Sequence, residues 1–214
     1  MKSTLKKSLM VGFASLLCAL SLSSCGGVHI KPGDNGLYDQ KNDVSYYHVS
    51  TVYEAKSLLK EYGKLTVTKD LSYKLYTIPG AEPTEMLATE EYNIVCSTDL
   101  DMPTLMEMMP TALLICSDFN ALKRMEDPVQ VATLASTFAS GESIAYPGTM
   151  PVRSYKIRFE STAYTGFYYT LTYVEYAEDL VVEDQNYGKY FLYDASASRC
   201  VPVGKEIHDA LGLE

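Results

Sequence analysis

The chain has no tryptophan and only three histidines, His29, His48 and His208. It contains no Cys-x-x-Cys, His-Glu-x-x-His, Gly-x-Ser-x-Gly or glycine-rich phosphate loop. Each absence removes the chemistry that needs it: a dithiol or zinc site, a metalloprotease helix, a serine-hydrolase elbow, a nucleotide cradle. Basic residues are scarce as well, 18 against 27 acidic, for a net charge of −9. Nucleic acid is held through dense Lys/Arg patches, so it is excluded as a partner. The cysteines and histidines lack metal-ligand spacing, and no cofactor is expected.

What the chain does have begins at its first residue. Lys2, Lys6 and Lys7 precede an apolar run over 9–22, and the small residues Ser23 and Ser24 precede Cys25. That is the order of a secretory signal, and the run is shorter than the ~20 apolar residues that span a bilayer. Leu22-Ser23-Ser24-Cys25 resembles the lipobox of bacterial lipoproteins: a leucine, two small residues and a cysteine. The resemblance covers residues 1–25 only. It implies a signal peptide over 1–24, cleavage before Cys25, a thioether-linked diacylglycerol on that cysteine, and an acylated N-terminus. Two or three chains on one residue anchor stably where one chain does not. The implied address is a membrane, with the protein facing the periplasm or the cell exterior. Gly26 is not aspartate, so in a Gram-negative host the expected membrane is the outer one.

Cleavage leaves 190 residues, enough for one domain with a sizeable core. The leader takes three lysines with it, so the mature chain carries −12. Attraction to anionic lipid cannot hold such a chain, and the acyl anchor must. Eighteen tyrosines without tryptophan favour strands. Three cysteines remain in the body, an odd number after export. Cys96 and Cys116 close two similar apolar runs, 93–97 and 113–117. A Cys96–Cys116 disulfide follows if those strands are neighbours; otherwise the two are buried thiols acting as small hydrophobes.

Taken in order, glycine-rich 25–36 reads as a flexible tether, and a single domain spans 37–214. Leu37-Tyr38-Asp39 and 44–49 flank a polar loop and predict a hairpin. Thr51 and Glu54 form a capping box ahead of Val52, Ala55, Leu58, Leu59 and Tyr62, which predicts a helix over 52–62 ended by Gly63. Strands follow at 65–68 and 71–78, a loop at 81–91, and a buried strand at 94–96. Asp101 and Pro103 predict a short helix to Met109, with Met102, Met106 and Met109 on one face as core filling or, in a copper-handling protein, as sulfur ligands. A strand at 112–116 and a short helix from Phe119 come next. Asp127-Pro128-Val129-Gln130 is an N-cap, a proline at N1 and a glutamine at N3, so a helix runs from there to Gly141.

The last third alternates. Residues 154–160 and 167–176 predict a long hairpin with Tyr155, Ile157, Phe159, Phe167, Tyr169, Leu171 and Tyr173 inward. Its outer face would carry Lys156, Arg158, Tyr168 and Tyr176, the candidate ligand-binding residues. Tyrosines beside cations can stack on sugars or form cation–π pairs within the sheet. Leu192-Tyr193-Asp194 then echoes Leu37-Tyr38-Asp39, and the ungapped alignment extends to Val52–Ala55 against Ile207–Ala210, predicting a hairpin-plus-helix unit at each end. The acidic residues Glu175, Glu178, Asp179, Glu183 and Asp184 read as a solvated edge that resists aggregation. The expected fold is α+β, a single domain with a mixed or antiparallel sheet, three to five short helices and a long C-terminal β-hairpin. The expected function is that of a membrane-anchored envelope lipoprotein, a non-catalytic binding or structural component with an envelope protein as partner. The alternatives are a glycan-binding surface protein using the tyrosine face, and a hydrolase whose site is assembled from distant residues.

Overall fold

A computed structural model describes residues 28–33, 36–66, 72–117, 120–145 and 148–213. The expected signal peptide over 1–24, the lipobox-like Leu22–Cys25 and the expected lipid attachment at Cys25 lie outside the described residues. The first half of the chain closes a seven-stranded barrel from β1 (Val28–Gly33), β2 (Gly36–Asp39), β3 (Val44–His48), β5 (Glu61–Thr66), β6 (Ser72–Tyr76), β7 (Met86–Thr89) and β8 (Ile94–Ser97). The short β4 (Tyr53–Ala55) leaves the barrel and pairs elsewhere. Neighbours around the barrel are β1-β2-β3-β8-β7-β6-β5, all antiparallel except β1 with β5. The exception is forced, because seven alternating directions cannot return to the start without one parallel pair.

Strand alternation sends one buried apolar side chain from each strand into the barrel: Ile30, Leu37, Tyr46, Leu65, Leu75, Leu87 and Val95. The interior is therefore packed rather than open. Burying each of these stabilises by roughly 1.5–3 kcal/mol. Tyr46 keeps its polar tip satisfied by donating to the Pro83 carbonyl oxygen at 2.8 Å. Val28–Gly33 belongs to the span read as a tether but is a strand, so the expectation that structure begins near Leu37 is wrong. Buried Ile30 and pairing on both sides give that glycine-rich stretch the strand its composition concealed.

The second half builds an open antiparallel sheet from β9 (Ala112–Ser117), β10 (Asn120–Met125), β11 (Arg153–Glu160), β12 (Phe167–Glu175), β15 (Tyr190–Asp194) and β16 (Arg199–Val203), ordered β10-β9-β11-β12-β15-β16. The first residues of β12 pair with β4 and its last with β15, so two strands share one edge end to end. β13 (Val181–Val182) and β14 (Gln185–Asn186) form a small separate hairpin. The inner face carries Ile157, Phe159, Leu171 and Tyr173. It meets Val131, Leu134, Ala135 and Phe138 of α1 (Pro128–Ser140) and the barrel's outer wall at Ala88, Ile94 and Cys96 in one core. Ile207 and Leu211 of α2 (Lys205–Leu211) join the same cluster.

The molecule is thus mostly β, with two helices among the described residues, and the expected α+β class with three to five helices is wrong. The helix predicted over 52–62 is instead β4, a turn and the start of β5. The region around 101–109 is turns, with Met108 buried and Met106 and Met109 exposed, so the three-methionine stripe does not form. The segment after Phe119 is strand β10, and part of the loop at 81–91 is β7. α1 starts as its sequence predicts: the Asp127 carboxylate accepts the N–H groups of Val129 and Gln130 at 2.9 and 3.2 Å.

The two Leu-Tyr-Asp hairpins share one register. Leu37 pairs with Tyr46 and Asp39 with Val44; Leu192 pairs with Val201 and Asp194 with Arg199. Both aspartates are buried and turn back to accept the next N–H groups, Asp39 from Lys41 and Asn42, Asp194 from Ser196 and Ala197. The likeness ends there. One hairpin is in the barrel and the other in the open sheet, and 53–55 is a strand where 207–210 is helical.

Candidate functional site

The outer face of the open sheet divides into a covered half and an open half. On the covered half Val174, Tyr176, Phe191 and Cys200 form a small second cluster with Ile144, Leu180, Tyr187 and Tyr193. The segment that carries β13 and β14 supplies Leu180 and Tyr187. Tyr176 is only 5% exposed, its ring edge-on to Phe191 at 5.6 Å. It does not share an exposed face with Tyr168, as the alternation predicted, because alternation sets which side of a sheet a residue takes and not what later covers it.

The open half is organised by Glu54. Register places Glu54 opposite Tyr168, and Arg158 opposite Thr170, so Glu54 and Arg158 reach each other diagonally across β12. Arg158 Nη2 and Nε donate to the two Glu54 oxygens at 2.6 and 2.9 Å. Lys156 Nζ lies 3.7 Å from the same carboxylate, and the Thr170 hydroxyl donates to it at 3.3 Å. The Arg158 and Glu54 side chains are 13% and 14% exposed. Burial pushes the Glu54 carboxyl up, but the hydrogen bonds and charge of Arg158, backed by Lys156 and Thr170, outweigh it and hold the group below the ordinary carboxylate value.

Tyr168 lies beside this pair, with the Arg158 guanidinium 5.6 Å and the Lys56 ammonium 5.3 Å from its ring centroid. Burial raises its hydroxyl, with Glu160 adding to the effect and Arg158 opposing it. No carboxylate among the described residues lies within ion-pair distance of Lys56. Burial lowers the Lys56 amine; Glu160 counters that, and Arg124 adds to it. Arg124 in turn is paired with Glu160 and Glu126. The result is a row of fixed cations and one half-buried tyrosine ring on a chain whose net charge is negative.

Of the four predicted contact residues, the structure thus brings together Lys156, Arg158 and Tyr168 and separates Tyr176. It adds Glu54 and Lys56, which the sequence had suggested for a helix. An arginine on an alternating strand asks for a carboxylate, but nothing local says which of 27 acidic residues will answer. Cys116 lies under the same face, its sulfur 3.6 Å from Arg158 Nη1. Cys96, Cys116 and Cys200 are free, buried thiols. The Cys96–Cys116 bond fails for a topological reason: β8 pairs with β3 and β7, and β9 with β10 and β11, so the strands are not neighbours.

His208 meets Tyr173, not Asp209. Its Nδ1 and the Tyr173 hydroxyl are 2.8 Å apart, and its ring stacks on Tyr190 at 4.5 Å, while Asp209 pairs with Lys205. Tyr190 also borders an open groove of about 620 Å³ with Tyr187, Lys189 and Lys205. A cleft of about 240 Å³ opens where the 79–81 loop meets the turn at 163–166, with Glu85 and Asp101 as its carboxylates. Neither side chain is hydrogen-bonded to a nucleophile or base among the described residues. Among the described residues no group of three His, Cys, Asp or Glu side chains converges as metal ligands, and no helix is long and apolar enough to cross a membrane.

Comparison with known proteins adds no identity: no family model, curated protein or solved structure matches the chain.

Proposed function

We propose that the chain is a lipid-anchored bacterial envelope protein whose folded part is a non-catalytic binding module. The open half of the sheet, around Glu54, Lys56, Lys156, Arg158 and Tyr168, is its contact surface. The observation that carries the surface is the fixed geometry of that half. A bidentate Arg158–Glu54 pair positions one guanidinium against the Tyr168 ring, with Lys56 near the same ring and, among the described residues, without a carboxylate at ion-pair distance. Pre-ordered Arg and Tyr side chains lose little entropy on binding, which is why interfaces concentrate energy in them. A protein partner with acidic groups fits this surface better than a glycan. The two-tyrosine platform of the glycan reading requires Tyr176, and Tyr176 is buried. The anchor rests on Leu22-Ser23-Ser24-Cys25.

Two experiments test the two parts. Cys25→Ala should move the protein from membranes to the soluble fraction without altering its circular dichroism; retention of that variant after a salt wash refutes the lipid anchor. A photo-crosslinking residue at Lys156 should give a discrete protein adduct in intact cells, lost in Tyr168→Ala. The same probe at Gln185, on the small β13–β14 hairpin, should give none. Equal adducts at both positions, or none at Lys156, refute the contact surface.

A further inference from the structure

Only Gly26 and Gly27 separate Cys25 from Val28, the first residue of β1. β1 is no loose arm. Ile30 is fully buried, and the strand is paired on one side with β2 and on the other with β5. Covalent geometry limits the three residue steps from Cys25 to Val28 to roughly 11 Å, at ~3.6 Å each. An acylated Cys25 therefore gives its barrel almost no room to rise from the bilayer or to turn over.

We infer that the barrel rim at which β1 begins rests against the headgroups of the membrane that holds Cys25, giving the domain one fixed end toward the lipid. This rests on the lipid-anchor reading above and adds an orientation to it. The registers say which residues share that rim. Ile30 is opposite Asp39, and Asp39 is opposite Val44, so the turn at 40–43 lies there. Val28 is opposite Gly63, and Glu61 is opposite Tyr76, so the start of β5 and the end of β6 lie there too. The far rim carries the Gly33–Gly36 and Thr66–Ser72 ends.

The chemistry of the near rim matches a headgroup layer and not the hydrocarbon beneath it. Gln40, Lys41, Asn42, Asp43 and Glu61 are all exposed there. Headgroups occupy about 5–7 Å on each side of a bilayer, so a polar rim on a tether this short lies against them without entering the core. Both charge signs are present, so the rim has no strong attraction of its own to an anionic surface. It is also built to keep its shape. The buried Asp39 carboxylate accepts from Asn42 Nδ2 at 2.7 Å and from the Tyr62 hydroxyl at 2.9 Å, tying the turn to β5. The far rim stands roughly 12–14 Å farther out, the rise of a six-residue strand tilted in a barrel.

The test uses the full-length chain in vesicles of phosphatidylethanolamine and phosphatidylglycerol doped with a headgroup-nitroxide lipid. Single reporters are placed by Gln40→Cys on the near rim and Ser72→Cys on the far rim, both exposed positions, while the three body cysteines stay buried. Quenching should be several-fold stronger at position 40 than at 72. A long Gly-Ser spacer inserted between Gly27 and Val28 should abolish the difference while the protein stays attached. Equal quenching, stronger quenching at 72, or a difference that survives the spacer overturns the orientation. Mass spectrometry of the N-terminal peptide and the Cys25→Ala variant report separately on acylation. A missing acyl chain therefore refutes the anchor reading, whereas an acylated, membrane-bound chain without the rim difference refutes only the orientation.

Discussion

Glu54 and Arg158 lie 104 residues apart in the chain and form a two-pronged ion pair, 2.6 and 2.9 Å, across strand β12. Glu54 comes from the short strand that leaves the barrel, and Arg158 from the centre of the open sheet. The pair therefore fastens the two halves of the molecule together and positions the cations of the proposed contact surface.

Removing one partner should cost more than removing both. Arg158→Ala leaves a mostly buried carboxylate without its main partner and should lower stability by about 3 kcal/mol, read as a shift in urea midpoint. The double variant Glu54→Gln/Arg158→Met should lose less. Arg158→Lys should recover only part of the loss, because an ammonium cannot reproduce the fork. A double variant as unstable as the sum of its parts refutes the coupling.

The same pair predicts a pH dependence. The folded-state value of Glu54 is depressed, so its stabilisation is present above the ordinary carboxylate range and is lost as pH falls through the folded value. The urea midpoint should therefore decline in acid less steeply in Glu54→Gln than in the wild type. Parallel curves for the two proteins would show that Glu54 does not titrate as described. Lys56 has the opposite sense. Its lowered folded-state value means that charged Lys56 opposes folding at neutral pH, and Lys56→Met should raise the midpoint.

The barrel interior takes one side chain from each strand, so a truncation there opens a cavity with few ways to collapse. Leu87→Ala should cost about 2–5 kcal/mol, and Tyr46→Phe, which removes the hydroxyl that bonds the Pro83 carbonyl, about 1 kcal/mol. A Leu87→Ala protein as stable as the wild type would mean that the barrel is not packed as described.

The two hairpin aspartates should both stabilise their turns although they lie in different sheets. Asp39→Ala and Asp194→Ala each remove a buried acceptor for two turn N–H groups and should each destabilise by at least about 1–2 kcal/mol, nearly additively, with Asp39→Ala the costlier because it also loses the bonds from Asn42 Nδ2 and the Tyr62 hydroxyl. A strong departure from additivity would show a connection between the turns.

The three thiols should be unreactive until the fold opens. Burial raises the Cys96 thiol and pushes Cys200 up to about 12, and Cys116 is buried beneath Arg158. Iodoacetamide at neutral pH should label none of them in the native protein and all three in denaturant. A native protein labelled at one site identifies a thiol more open than described.

Local signals were legible where the deciding residues lie close together. Asp127, Pro128 and Gly141 bound α1 because caps act within one turn. The hairpins at 37–48, 153–175 and 190–203 were visible as alternation around short polar turns. The capping box Thr51-x-x-Glu54 failed for the complementary reason. A short helix there offers little beyond its own hydrogen bonds, whereas the strand gains pairing with Phe167–Tyr169 and the Arg158 fork. Distant partners outweighed near ones.

By itself, then, the sequence determined an apolar N-terminal run ending in Leu-Ser-Ser-Cys, the acidic charge, the strand-rich composition and the individual hairpins, all properties of neighbouring residues. Tertiary structure alone decided that β1 closes a barrel onto β5, that Tyr176 is covered while Tyr168 stays half open, and that Glu54 answers Arg158. The barrel closure and the Glu54–Arg158 pair depend on segments 35 and 104 residues apart, and the cover over Tyr176 on residues as far away as Ile144 and Cys200; free energy of that kind is released only when the distant segments are in place.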